Sequence, residues 1–458
     1  MKGITDPAII TGYLTDASGL CGAASKLFRP TSTEEVAQIV RYCNETAMPV
    51  TVSAARTSTT GGPVPESGAI LNMEQMTDVE VIGPTYAIAM VGIKLGQLDA
   101  ILATHNLLFP PDPTSRDDAT LGGAISTNAS GARSYKYGAT RPWIEALEVV
   151  WPNGEVAWID RHTDWPTSWP TLTWRVPMGK NAAGYAADTS LLETIVGSEG
   201  TLAVITRAKI RLVPRPTSTF SLVIPCKDSQ SVLSLLPKLR QECPFPPSAI
   251  EYLDLRSAAI ACGEGLPAPK GHHLILLEVS HSSSDAPMTW WNDALNQWLP
   301  NVEISAAITD REREVLRTAR HAVPARFNEI AKRNGYKKLA TDFAVPDHAF
   351  AQMMTAYEAS PVDSFLFGHL GQNHLHLNLL PRDEAEYAAA TAYLSELTDL
   401  AIRLHGTISA EHGVGKIKRM AFSKMAGLDG VANHRALKKA ADPKMILGIG
   451  TIFSAPTV

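Results

Sequence analysis

Between positions 364 and 381 the chain reads SFLFGHLGQNHLHLNLLP. An apolar run ends at His369, Gly371-Gln372-Asn373 interrupts it, and strict alternation resumes at His374. Strand side chains alternate between faces, so the pattern predicts a hairpin. Its returning strand puts His374, His376 and Asn378 on one face and Leu375, Leu377 and Leu379 on the other. The leucines suit a core, whereas the imidazole face needs a different reason. His369, closing the outgoing strand, is expected opposite His376 across the turn.

The same reading orders the rest of the chain. Ser32 with Glu35 has the form of a capping box, and Val36, Ile39, Val40 and Cys43 make a helical stripe behind it. Strands are predicted at 49–53, 69–73 and 86–93, with a helix over 95–105. A hairpin is predicted over 145–159 around Pro152-Asn153-Gly154, then a strand over 202–213. Pro214-Arg215-Pro216 marks a boundary. Beyond it, strands are predicted at 219–224, 273–280 and 339–345, and helices at 231–240, 287–299 and 311–319. Asp383 with Glu386 caps a further helix that stops at Gly406, and 407–410 reads as a strand delivering Glu411 and His412. The organisation expected is residues 1–215 as one domain, 216–425 as a second, and 426–458 as a C-terminal segment packing back on the first.

Composition adds mainly exclusions. With 458 residues, 45% hydrophobic and 19% charged, the chain is an ordinary globular sequence of two or three domains. A net charge of −5 gives no general attraction to nucleic acid or anionic lipid. No apolar run is long enough to span a membrane, and MKGITDPAII lacks a signal pattern. Cys21, Cys43, Cys226, Cys243 and Cys262 are scattered singly, which argues against an iron–sulfur cluster and a disulfide framework. A cytoplasmic location is expected, with peripheral membrane association or a homodimer compatible with it.

Three stretches carry candidate chemistry. Two imidazoles and a carboxylate can hold a divalent transition metal with positions left open, and His369, His376 and Glu411 offer such a set. Satisfied core histidines are the competing reading. The segment 53–62, SAARTSTTGG, is small and rich in hydroxyls, which suits a phosphate or pyrophosphate as well as a plain polar turn. The segment 109–140, rich in Gly, Pro, Ser and Asn, is too long for an idle loop. Neither G-x-G-x-x-G after a strand nor G-x-x-x-x-G-K-[ST] occurs, so a dinucleotide would have to bind through separate glycine-rich patches.

Taken in order, these patches, Gly197-Ser198-Glu199-Gly200-Thr201-Leu202, the G-H-x-G…H-x-H run and Glu411-His412-Gly413-Val414-Gly415 resemble the vanillyl-alcohol oxidase and p-cresol methylhydroxylase family of flavoproteins. The resemblance is to its FAD-linked D-2-hydroxy acid dehydrogenase branch (D-lactate dehydrogenase, the glycolate oxidase FAD subunit, D-2-hydroxyglutarate dehydrogenase) and covers nearly the whole chain. It implies an α+β fold: a two-subdomain FAD-binding lobe and a cap lobe with an antiparallel sheet and helices.

The resemblance also assigns roles. FAD would meet Arg56, Thr57, Ser58, Thr60, Gly61 and Gly62 in the first patch. In the second it would meet Pro111, Asp112, Thr120, Gly122, Gly123, Asn128, Ser130, Gly131, Tyr137 and Gly138. Glu199, Gly200, Thr201 and Ile205 would lie along the flavin. His369, His376 and Glu411 would hold a divalent metal (zinc, manganese or iron). His412 would be the general base, Asn378 a substrate contact, and Arg320 the grip on the substrate carboxylate, with Lys338 a looser candidate. The substrate would be a small D-2-hydroxy acid. The electron acceptor could be a quinone, an electron-transfer flavoprotein, an iron–sulfur subunit or oxygen.

Two departures from the family pattern stand out. The usual R-G-G-G-T-S loop is here Ser53-Ala54-Ala55-Arg56-Thr57-Ser58, and Gln372-Asn373-His374 replaces D-G-N in the metal motif, which makes His374 an extra potential ligand. No His or Cys sits in the first loop, so FAD is expected to bind non-covalently. An alcohol oxidase of the same fold and a non-catalytic flavin-binding or electron-transfer subunit are the alternative readings.

Overall fold

Ser32 starts the first long helix: its hydroxyl accepts a hydrogen bond from the Glu35 amide at 3.3 Å. The helix runs Thr33–Glu45 and buries Val36, Ile39, Val40 and Cys43. Glu35 reaches one residue beyond the usual capping box and accepts from the Thr31 amide instead, at 2.7 Å. The computed structural model describes residues 2–186, 190–241, 243–281 and 286–454.

The helix follows the first strand of a small parallel sheet, ordered Lys26–Phe28, Ala69–Asn72, Val50–Ser53. Beside it lies a five-stranded antiparallel sheet, ordered Val79–Ile82, Tyr86–Met90, Val204–Arg211, Ile144–Val150, Val156–Asp160. The segment 109–140, aperiodic in sequence, forms two short helices, Leu121–Ser126 within the first lobe and Ser134–Tyr137 facing the second. Arg133 donates from Nε to Glu278 Oε1 at 2.7 Å, and Lys136 donates to the Ser280 carbonyl at 3.0 Å, so this segment ties the lobes together.

The second lobe is an eight-stranded antiparallel sheet. Its order is Ser305–Ala307, Ser218–Cys226, His273–His281, Ala249–Leu253, Ser364–His369, His374–Leu379 and Leu339–Ala340, with Phe343–Ala344 also on His374–Leu379. Leu375, Leu377 and Leu379 are all buried in its core.

Five details depart from the sequence reading. The hairpin register pairs His369 with His374, and His376 with Phe367. The turn takes up Leu370–Gln372 as a 3-10 helix with Asn373 left-handed (φ 53°), so the pairing closes two residues earlier than expected on the returning strand. The helix predicted to end at Ala319 runs Asp310–Asn334 through Pro324 and stops at Gly335 (φ 77°). An interior proline costs about 3 kcal/mol. Burial of Val323 just before it and Phe327 beyond it, at about 1.5–3 kcal/mol each, offsets this.

The strand expected over 339–345 is two short pieces, and 407–410 makes a single bridge, Thr407 to Ala344, rather than a strand. Side-chain oxygens compete there for the backbone: Thr407 Oγ1 accepts from the Ser409 amide and Ser409 Oγ donates to the Gly413 carbonyl. The helix Glu384–Arg403 turns left-handed at His405 (φ 58°). Gly406 serves another purpose, since a Cβ there would lie 2.4 Å from the Ala344 carbonyl oxygen.

A last helix, Arg419–Ala441, is broken at Gly427. The chain then returns to the first lobe: the Val50 amide donates to the Ile446 carbonyl and the Gly448 amide to Val50, both within 2.9 Å. Residues 455–458 of the expected C-terminal segment lie outside the described residues. Among the described residues no helix is long and apolar enough to cross a membrane.

Candidate functional site

The second lobe's sheet and the 411–415 turn converge on one carboxylate. Glu411 lies 3.2 Å from His369 Nε2, 3.3 Å from His376 Nε2 and 3.5 Å from His412 Nε2. His374 Nδ1 is 3.9 Å away. Lys180, from the first lobe, donates to Glu411 Oε2 at 2.8 Å and lies 3.0 Å from His374 Nδ1. His369, His374, His376 and Glu411 place one donor atom each within 4.8 Å of one another.

The far side of each ring is also occupied. His369 Nδ1 is 2.6 Å from Glu251 Oε1, and Glu251 is itself paired with Arg320. His376 Nδ1 faces the Thr341 carbonyl at 3.2 Å, and His374 Nε2 faces Asp342 at 2.9 Å. A ring N–H engaged this way leaves the opposite nitrogen's lone pair for the cluster, the arrangement in which imidazoles bind metals. Both the donor chemistry and the ring orientations fit a divalent cation.

Electrostatics tighten the picture. Burial pushes the Glu411 carboxyl up, but Lys180 and His369 hold it well below its ordinary range. Asp342 is also held well below, against its burial, by His412 and Lys418. Burial drives His374 far down and His376 down, so both rings are neutral near pH 7. His412 behaves differently: burial pulls it down, yet Asp342, 3.2 Å from Nδ1, and then Glu411 push it up to about 9. His369 is likewise raised against its burial, by Glu251 and Glu411.

Glu411 and His412 also form one wall of a cavity of about 380 Å³. Its other walls come from the first lobe and include Arg56, Thr57, Ser58, Gly62, Thr120, Gly122, Gly123, Ser130, Glu199, Gly200 and Ile205. Ser53 Oγ, on the same wall, is buried with no hydrogen-bond partner, which suits a polar ligand there. Gly122 lets the short helix press on the turn that follows the strand Tyr86–Met90: a Cβ would lie 2.8 Å from Val91 Cβ. A hydroxyl-lined cavity closed by Glu411 and His412 fits a bound flavin dinucleotide.

Other expected flavin contacts stand behind the cavity. Thr60 is buried and donates to the His412 carbonyl, and the Gly61 amide donates to Asp16. Pro111 and Asp112 line a separate small crevice where Asp112 pairs with Arg116. Asn128 accepts from the Arg141 amide, the Tyr137 carbonyl accepts from Trp143, and Gly138 ends a helix at φ 73°. A Cβ on Gly131 would lie 1.9 Å from the Asp112 carbonyl oxygen. Thr201 is buried against the Tyr185 hydroxyl at 2.7 Å.

Arg56 lines the cavity, but its guanidinium turns to Glu74 at 3.2 Å, over the Tyr13 ring. Its backbone is left-handed (φ 57°) at a position where the family loop has glycine, a strained choice for a long side chain.

Arg320 reaches the site's rear through Glu251 rather than facing the cavity wall. Asn378 is buried and donates to the His376 carbonyl at 3.2 Å. Lys338 sits 4.5 Å above the Phe327 ring. Phe327 and Phe367 separate it from His376, and burial lowers it to about 8.

The substituted turn is well seated. Gln372 Nε2 donates to the Ser134 carbonyl at 3.1 Å, and Asn373 Oδ1 accepts from Arg240 at 2.6 Å. Lys180, Glu251 and Asp342 were not singled out from sequence as site residues. Lys180 does lie within a glycine-flanked patch, 179–185, whose only sequence signal was composition.

Comparison with known proteins agrees with this geometry. Residues 24–160 match the FAD binding domain model, and residues 215–452 match that of the FAD linked oxidases, C-terminal domain. The chain is 30% identical to a D-lactate dehydrogenase of Archaeoglobus fulgidus, over 93% of this chain and 90% of that protein. It is 28% identical to glycolate oxidase subunit GlcD of Bacillus subtilis, over 93% and 88%. It is also 28% identical to a D-2-hydroxyglutarate dehydrogenase of Xanthomonas citri, over 93% and 89%. Among solved structures, an alkyldihydroxyacetonephosphate synthase shares the fold, with a TM-score of 0.69 at 17% identity, over 93% of this chain and 76% of that one.

Proposed function

The chain belongs to the family of FAD-linked oxidases and is an FAD-dependent oxidoreductase, and from that premise we propose that it oxidises a small D-2-hydroxy acid to the 2-oxo acid. The observation that carries this reading is the shared wall: Glu411 and His412 close the cavity that the hydroxyl-rich loops of the first lobe open. Similarity to relatives named for D-lactate, glycolate and D-2-hydroxyglutarate supports the substrate class.

Such a substrate must lose a proton from its hydroxyl and a hydride from Cα. Segments 53–62 and 113–130 would hold FAD non-covalently, and the flavin would supply the hydride acceptor. His369, His376 and Glu411 would hold a divalent cation, whose charge would lower the hydroxyl's pKa. His412 takes the proton once its imidazole is neutral. Asp342 fixes that ring through Nδ1 and leaves Nε2 toward Glu411 and the cavity. Arg320 anchors Glu251, which in turn holds His369 through Nδ1. Asn378 holds the backbone that carries His376.

Anaerobic mixing of the purified yellow protein with D- and L-2-hydroxy acids, with and without chelator, tests this. The expected result is bleaching of the flavin by one D-acid, abolished by chelator. A flavin that no 2-hydroxy acid bleaches would overturn the reading.

A further inference from the structure

We propose that His374 is a ligand of the divalent cation, which makes the protein's donor set three imidazoles and one carboxylate. This rests on the metal reading above and goes beyond the three ligands that the family pattern supplies. In that pattern an asparagine stands at this position, and an asparagine side chain is a poor substitute for an imidazole nitrogen.

The geometry singles out His374 Nδ1. The residue is fully buried, so its ring cannot be a solvated surface group. Nε2 lies 2.9 Å from the Asp342 carboxylate, whose charge fixes the ring's proton on that nitrogen. The Nδ1 lone pair therefore points into the cluster, 3.9 Å from Glu411 Oε2 and close to the other two rings, with centroids 4.4 Å from His376 and 5.3 Å from His369. A carboxylate behind an imidazole is the usual support of a metal-bound histidine.

The atom at that lone pair in this structure is Lys180 Nζ, 3.0 Å away and 2.8 Å from Glu411 Oε2. An ammonium that bridges a neutral imidazole and a carboxylate holds the two acceptors that a divalent ion would take. The ion and Lys180 thus compete for one corner of the site. Three imidazoles and a carboxylate form a set suited to zinc or cobalt more than to magnesium.

The test compares wild-type protein with H374N, which restores the family residue, each loaded with cobalt and separately with zinc. X-ray absorption of the zinc-loaded wild type is expected to count three imidazoles. The cobalt form of H374N is expected to lose visible band intensity as water replaces nitrogen, and its zinc affinity to fall by at least about 10-fold. Two imidazoles in the wild type overturn the proposal, even if H374N does not fold. So does an H374N variant with unchanged spectrum and affinity. Wild-type protein that binds neither metal overturns the metal reading together with this proposal, whereas flavin bleaching by a D-acid in the same preparation would leave the FAD-dependent reading standing.

Discussion

The ammonium of Lys180 lies 2.8 Å from the Glu411 carboxylate, and both side chains are almost wholly withdrawn from solvent. One comes from a loop of the first lobe and the other from the turn that ends the second lobe's last bridge. The pair therefore neutralises the site and joins the lobes at once. Removing one member of a buried pair leaves the other uncompensated, at a cost of about 3–5 kcal/mol. Lys180→Met is expected to lose stability on that scale in chelator-treated protein and to regain much of it on adding zinc, which replaces the missing charge. Urea unfolding with and without the ion measures both. A K180M protein as stable as wild type in chelator would mean that Lys180 is not the neutralising charge.

Glu251 holds His369 by Nδ1 at 2.6 Å and is itself held by Arg320. Glu251→Gln keeps the shape but loses the charge that orients the ring. Metal affinity is expected to fall by about 10–100-fold with little change in flavin content. Competition against a chromophoric chelator reads the affinity, and an unchanged value would remove Glu251 from the metal's support.

His412 lies between two carboxylates, and Asp342 holds its proton until about pH 9. A histidine raised in this way stabilises the folded chain fully below its unfolded pKa, and the contribution is lost as pH rises through about 9. Carbon-labelled histidine NMR of metal-free protein should show one ring titrating near 9. That midpoint should move down when a cation neutralises Glu411, bringing the base into range at neutral pH. His412→Asn should slow flavin reduction by about 10²–10⁴-fold while FAD and metal contents stay the same. A variant that reduces its flavin at the wild-type rate would assign the proton to another group.

Glu199 crosses between the lobes, accepting from the Val414 and Gly415 amides at 2.8 Å each. Burial pushes its carboxyl up to about 7, only partly opposed by those two amides. The folded chain then holds a proton that the unfolded chain has lost between about pH 4.5 and 7, so this group lowers stability as pH rises through that window. Glu199→Gln is expected to flatten that part of the stability profile in flavin-free protein. Unfolding midpoints at pH 5 and pH 8 provide the comparison, and an unaltered slope would assign it to another group.

Much of this was legible along the chain. The alternation at 374–379 put three leucines in the core and two imidazoles with Asn378 on the other face, as the sheet has them. The short apolar strands, the capping residues at Ser32 and Asp383 and the order of the glycine-rich patches were enough to place the family and the α+β fold. Side-chain period is a local property, and a strand's faces follow from it without reference to the rest of the chain.

Register and partnership were not legible. The pairing of His369 with His374 depends on how many residues the 370–373 turn consumes, which is a matter of backbone geometry and not of hydrophobic pattern. The continuation of Asp310–Asn334 through Pro324 depends on a core that rewards Val323 and Phe327. Lys180, Glu251 and Asp342 lie far apart in sequence from the imidazoles they serve and carry no motif of their own. Arg320 was visible as a charge, but only the fold gave it Glu251. Sequence thus determined which chemical groups the protein possesses and which faces carry them. Tertiary structure decided which carboxylate stands behind which ring, because that depends on the convergence of separate elements in space.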